Sequence, residues 1–134
     1  MFALLATRTS ALGPWQDRLD GIGHEAGTKG FDELFWTAVV GGWLVALVGW
    51  LVTASTDTVG QVLLVVLLTF LVGAGHFTHS VAGSGEVLSS LFDDGLSLTS
   101  FLTWLAAAVL GNAVGGIVIV ALINYGQVSI SRGR

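Results

Sequence analysis

Cysteine is absent from this chain of 134 residues, which excludes disulfides and thiolate metal ligands and leaves the redox compartment unwritten. Proline occurs once, at Pro14, so little else breaks helices except glycine, of which there are 19. Charge is scarcest of all. Asp, Glu, Lys and Arg make up 10% of the chain, against about 25% in a soluble globular domain, too few to coat a water-facing surface. The net charge of −4 carries no basic tract, so nucleic acid is not an expected partner.

What is present is apolar and unevenly distributed. Hydrophobic residues reach 53% with a mean hydropathy of +0.81. Residues 34–56, 58–85 and 95–131 contain no Asp, Glu, Lys or Arg. Each window exceeds the roughly 20 residues that a helix rising about 1.5 Å per residue needs to cross a bilayer core. Three such windows leave no polar exterior for a soluble fold. The expected class is an all-α membrane protein with three transmembrane spans, multi-pass in the cell membrane.

The 13.9 kDa chain allows one compact unit. Residues 1–33 read as an N-terminal interfacial segment, and residues 34–134 as a three-span membrane domain. Residues 1–12 are too weakly apolar, and interrupted by Arg8, for a signal peptide; they fit the tail of a preceding span instead. Residues 13–33 hold most of the charge, with Trp15 suited to the headgroup layer. The first span covers residues 34–54, where Trp36, Trp43 and Trp50 fall on nearly one helical stripe. Trp36 and Trp50 suit the two interfaces, and Trp43, at mid-depth, suits packing against protein. Positive charges balance across the spans, with Arg18 and Lys29 before the first and Arg132 and Arg134 after the last, so no orientation is favoured.

The middle span departs from this pattern. Residues 59–72 form an apolar run, followed by GAGHFTHSVAGSGE at residues 73–86, with two histidines, four glycines and hydroxyl side chains. Irregular backbone at membrane depth is tolerated only where it is buried in protein or lines a polar path. The middle span is therefore expected to be discontinuous, with the helix resuming at Glu86 and running to Phe92. Glu86 would then cap the positive end of the resumed helix.

An ionisable side chain at membrane depth marks by default a pathway, a relay or a paired site. Histidine suits a pathway because its ordinary pKa near 6.5 lets modest changes of environment switch its charge. The alternative for either imidazole is a neutral ring that merely holds the break. We expect His79 on the pathway and His76 in the structural role. No metal or other cofactor is expected: His76, His79 and Glu86 lack a completing ligand set. Nor is an enzyme, because no orienting acid stands near Ser80 and His79.

The last span covers residues 98–125. Gly111 and Gly115 form a GxxxG pair with Ala107 one turn earlier, beside Asn112 and Gly116, a pattern that lets another helix approach closely. That helix could belong to another subunit, and a non-transporting membrane partner or assembly subunit is the alternative to a transporter.

FTHSVAG at residues 77–83, LGNAVGG at residues 110–116 and the closing LINYG at residues 122–126 together resemble the C-terminal half of the formate/nitrite transporter family. The similarity runs over residues 31–127, matching spans four to six of a six-span subunit. It implies an aquaporin-like half, one of two inverted repeats whose broken spans meet at mid-membrane. It further implies homo-pentamers in which each subunit conducts a small monovalent anion such as formate or nitrite. The family's pore histidine falls on His79. The position before it, often Glu, is Thr78, and the position four after it, often Asn, is Gly83. Val72 and Phe70 are the implied apolar gate, and Thr78, Ser80, His79 and Gly83 the substrate pathway. On this resemblance the first three spans are missing, so the chain would be a partial subunit that needs a second copy or a separate N-terminal-half chain.

Overall fold

The computed structural model describes residues 13–93, 95–123 and 125–126. The readings placed on residues 1–12, the Trp15 side chain, Asp94, Asn124 and the closing Arg132 and Arg134 lie outside the described residues.

Among the described residues five helices follow one another: α1 Gly13–Thr28, α2 Phe31–Ala54, α3 Thr58–Ala74, α4 Ser80–Phe92 and α5 Leu98–Ala113. A π-helical segment, Val114–Ile119, continues α5, and the whole rod Leu98–Ile123 is 26 residues long. Local chemistry sets the ends. Pro14 sits in the first turn of α1, where its missing N–H costs nothing. Asp32 and Glu33 occupy the first turn of α2, at the positive end of its dipole. Asp57 caps α3 by accepting from the Gly60 N–H at 2.7 Å, and the neighbouring Gln61 amide donates to the Val52 and Ser55 carbonyls at 3.2 and 2.9 Å, closing the end of α2. Ser97 caps α5 through the Ser100 N–H at 3.1 Å.

Among the described residues, α2 and the rod Leu98–Ile123 are the two helices long and apolar enough to cross a membrane, and they pack on each other. Glycine permits the close approach. A Cβ on Gly111 would lie 2.5 Å from the Phe35 carbonyl oxygen, one on Gly115 would strike the Val39 carbonyl oxygen, and one on Gly42 would strike the Asn112 backbone. Such contacts replace the hydrophobic drive that lipid removes. α1 packs on α4: the Ser89 hydroxyl donates to the Asp20 carboxylate and the Ser90 hydroxyl to the Asp20 carbonyl, both at 2.8 Å. Leu34, Val87, Leu96, Trp104, Ala107 and Ala108 form the buried core where these helices meet.

The outside of the bundle is apolar. Along α3, which rests on α2, the exposed side chains include Val59, Val62, Leu63, Val66, Leu67 and Phe70. On α5, Leu102, Val109, Leu110 and Ile117 are exposed as well. A soluble core helix would hide such a surface, whereas lipid matches it.

Two expectations need correction. The backbone break covers residues 75–79, not the whole glycine-rich stretch: α3 runs through Gly73, and α4 begins at Ser80, six residues before Glu86. Glu86 therefore lies in the second turn of α4 and does not cap it. The reason is tertiary: Gly83 is helical because it packs, and a Cβ there would lie 2.8 Å from the Trp104 ring.

Candidate functional site

The break begins with a helix terminus. The Phe77 N–H donates to the Val72 carbonyl at 3.0 Å and the His76 N–H to the Gly73 carbonyl at 3.1 Å. This 6→1 and 5→2 pair is a Schellman motif, whose left-handed position is usually glycine. Here it is His76, at φ 51°, the one non-glycine residue with positive φ among the described residues. Its side chain is exposed.

The break ends with a cap. His79 is the N-cap of α4, with extended backbone (φ −125°, ψ 121°), and its Nδ1 accepts from the Ala82 N–H at 3.4 Å. A nitrogen that accepts carries no proton, so the tautomer assigned by this bond has its hydrogen on Nε2. The ring thus holds the helix with one nitrogen and offers a donor with the other.

Between these ends one amide side chain holds the strand of backbone. Asn112 of α5 donates through Nδ2 to the Ala38 carbonyl at 2.8 Å and the Thr78 carbonyl at 2.9 Å. Its Oδ1 accepts from the Ser80 N–H at 2.8 Å. Two acceptors on one side and a donor on the other leave no freedom to flip the amide. The Thr37 and Thr78 hydroxyls lie 2.9 Å apart. Gly41 makes room below: a Cβ there would lie 2.6 Å from the Thr78 oxygen.

The break opens on a cleft of about 270 Å³. From α4 it is lined by His79, Ala82, Gly83 and Glu86, a spacing of i, i+3, i+4, i+7 that defines one helical face. From α1 and its end it is lined at the same spacing by Ile22, Glu25, Ala26 and, one residue past the helix, Lys29. Val72, Gly73 and residues 76–78 close the end at the break, and Trp104 forms one side. Lys29 also pairs with Glu33 at 3.2 Å. No group of three metal-ligating side chains occurs among the described residues.

Of the residues singled out as pathway, Val72, Thr78, His79 and Gly83 line this cleft together. Ser80 is not on its wall; its contribution is the N–H that Asn112 holds. Phe70 stands on the outer face of α3, 67% exposed, and is not on the wall either. Of the packing residues, Ala107, Gly111 and Gly115 are buried, Gly111 and Gly115 against α2, so this stripe is occupied within the chain. A Cβ on Gly116 would lie at ordinary van der Waals distance from the Gly42 carbonyl oxygen and the Ala46 methyl, 3.5 and 3.6 Å. Asn112 does more than pack, since it ties α2, α4 and the break to α5. Sequence reasoning missed the α1 wall, although the i, i+3, i+4, i+7 stripe of Ile22, Glu25, Ala26 and Lys29 is visible in the sequence; Thr37 left no such signal.

A family model described as formate/nitrite transporter matches residues 1–126. The match includes α1, which the motif resemblance did not reach. The chain is 32% identical over 114 residues to the inner membrane protein YfdC of Escherichia coli, covering 84% of this chain and 36% of that one. It is 32% identical over 124 residues to a probable formate transporter of Methanothermobacter thermautotrophicus, covering 92% and 44%. An uncharacterized transporter of Bacillus subtilis, YrhG, is 26% identical over 113 residues, covering 84% and 42%. The chain thus spans less than half the length of each of these relatives. No solved structure matches it.

Proposed function

The chain belongs to the formate/nitrite transporter family, a family of membrane transporters and channels and not of enzymes, and from that premise we propose that it forms one half of a pathway for small monovalent anions across the cell membrane. In this reading α2 and the α5 rod are two spans, and α3 and α4 are the two halves of a third, discontinuous span, the arrangement of one inverted repeat. The complementary half comes from a longer polypeptide, a second copy or a separate chain, and family-like oligomers assemble from the completed subunits.

The observation that carries the reading is His79 at the break. Its Nδ1 is engaged by the helix it caps, so Nε2–H is the donor for an anion in the cleft. The positive end of the α4 dipole adds to that attraction. Thr78, fixed through both its carbonyl and its hydroxyl, positions the ring that follows it. Val72, at the break end of the cleft, is the apolar constriction. Phe70, on the outer face of α3, is assigned no gating role. The non-transporting alternative loses its main support, because the glycine stripe offered for a partner subunit is occupied by α2.

The test is uptake of formate and nitrite into liposomes holding the purified chain, with His79→Ala beside it. Uptake above empty liposomes that His79→Ala abolishes supports the proposal. Absence of uptake overturns completion of the pathway by a second copy, and uptake indifferent to His79→Ala overturns the role of His79.

A further inference from the structure

The cleft is acidic where an anion pathway calls for positive charge. Glu25 and Glu86 line it, while Lys29, its one lining Lys or Arg, is drawn to Glu33. Glu86 stands on the same face of α4 as His79, two turns further along, about 10 Å by helical rise. Side chains on a helix lean toward its N-terminus, so the Glu86 carboxyl leans toward the break. It is half-buried, and among the described residues its carboxyl makes no hydrogen bond or ion pair. A carboxyl wanted only for folding would be paired at such a position, because an unpaired charge at membrane depth is costly. The groups able to act on it are Glu25 of α1 and Lys29 just past it across the cleft, and His76 and His79 at the break. On α1, Asp20 is engaged by Ser89 and Ser90, and Arg18 and His24 are not on the cleft wall. From α5, the cleft receives Trp104, which does not titrate.

We infer that Glu86 is a charge gate on the approach to His79. Ionised, it repels anions from the cleft; protonated, it admits them, so anion entry rises as pH falls and a weak acid enters with its proton more readily than its anion enters alone. This rests on the cleft being the pathway proposed above, but the charge effect is measurable without transport.

The chain has no cysteine, so Ala82→Cys places a single thiol on the cleft wall, one turn from both Glu86 and His79. The rates at which an anionic and a cationic methanethiosulfonate reagent modify it report the local potential, and their ratio cancels the thiolate fraction. A unit charge about 6 Å away in water changes each rate about threefold in opposite directions, so Glu86→Gln raises the anionic-to-cationic ratio about tenfold at neutral pH. Glu86→Asp, which keeps the charge, keeps the parent's ratio. An unchanged ratio in Glu86→Gln, or the same change in Glu86→Asp, overturns the inference. In liposomes, Glu86→Gln raises formate uptake at neutral pH and flattens its pH dependence; uptake that stays the same or falls overturns it as well. If neither the parent nor any variant takes up anions while the ratio still responds, the proposed function fails for this chain and the gating role with it, and Glu86 only sets the potential of the cleft.

Discussion

The Asn112 amide nitrogen lies 2.9 Å from the Thr78 carbonyl oxygen, joining residues 34 positions apart in the sequence. Through that bond and two others, the last helix determines where the broken backbone sits and where α4 begins. Asn112→Ala removes all three bonds and leaves part-buried backbone groups unpaired, a loss of about 2–4 kcal/mol at about 1 kcal/mol or more per bond. Thermal unfolding in detergent should show a clearly lowered midpoint. Asn112→Asp keeps the acceptor for Ser80 but sets a carboxylate oxygen against the Ala38 and Thr78 carbonyls, and should lower the midpoint at least as far.

His76 carries a backbone conformation that costs an L-residue about 1–2 kcal/mol and glycine almost nothing. His76→Gly is therefore expected to raise the unfolding midpoint, a rare case of stabilisation by glycine. If anion uptake nevertheless falls, the imidazole is needed for more than the turn. A lowered midpoint would instead mean that the exposed ring makes contacts worth more than the strain.

Two adjacent glycines in the π-helical segment should respond in opposite ways. Gly115→Ala drives a methyl group into the Val39 carbonyl, and overpacking of this kind costs about 1–3 kcal/mol. Gly116→Ala meets ordinary contact distances and gains up to about 1 kcal/mol of helix propensity. Measured side by side, the pair separates close helix contact from a general preference for glycine in membrane helices.

The turn between α2 and α3 tests the capping chemistry. Asp57→Ala removes the acceptor for the Gly60 N–H and should cost about 1 kcal/mol. Asp57→Asn, which retains a side-chain oxygen, should recover most of it in the same unfolding assay.

The helices were legible because lipid makes charge a conspicuous punctuation: α2 and α5 fall inside windows without Asp, Glu, Lys or Arg beyond their first turns. The break was legible only in part. Glycine lowers helix propensity wherever it occurs, but it also serves where two helices touch, and sequence alone does not separate these uses. Gly83 and Gly85 read as part of the break although both are helical, and Gly83 is there for the Trp104 ring. The start of α4 depends on Asn112, a tertiary partner invisible to local propensity. The α1 wall was missed because charge in residues 13–33 pointed to an interface, whereas Glu25 and Lys29 line the cleft.

The π-helical segment Val114–Ile119 has a consequence for which neighbours α5 can touch. Widening the i→i+4 ladder to i→i+5 accommodates one additional residue, and one residue is about 100° of rotation around a helix. Ala107, Gly111 and Gly115 share a buried bearing, with Gly111 and Gly115 against α2, and past Ile119 the side chains of Leu122 and Ile123 are exposed. The extra residue thus sets the bearing of every turn that follows relative to those before. Deleting a single residue from the segment would rotate the turns beyond it by about 100°.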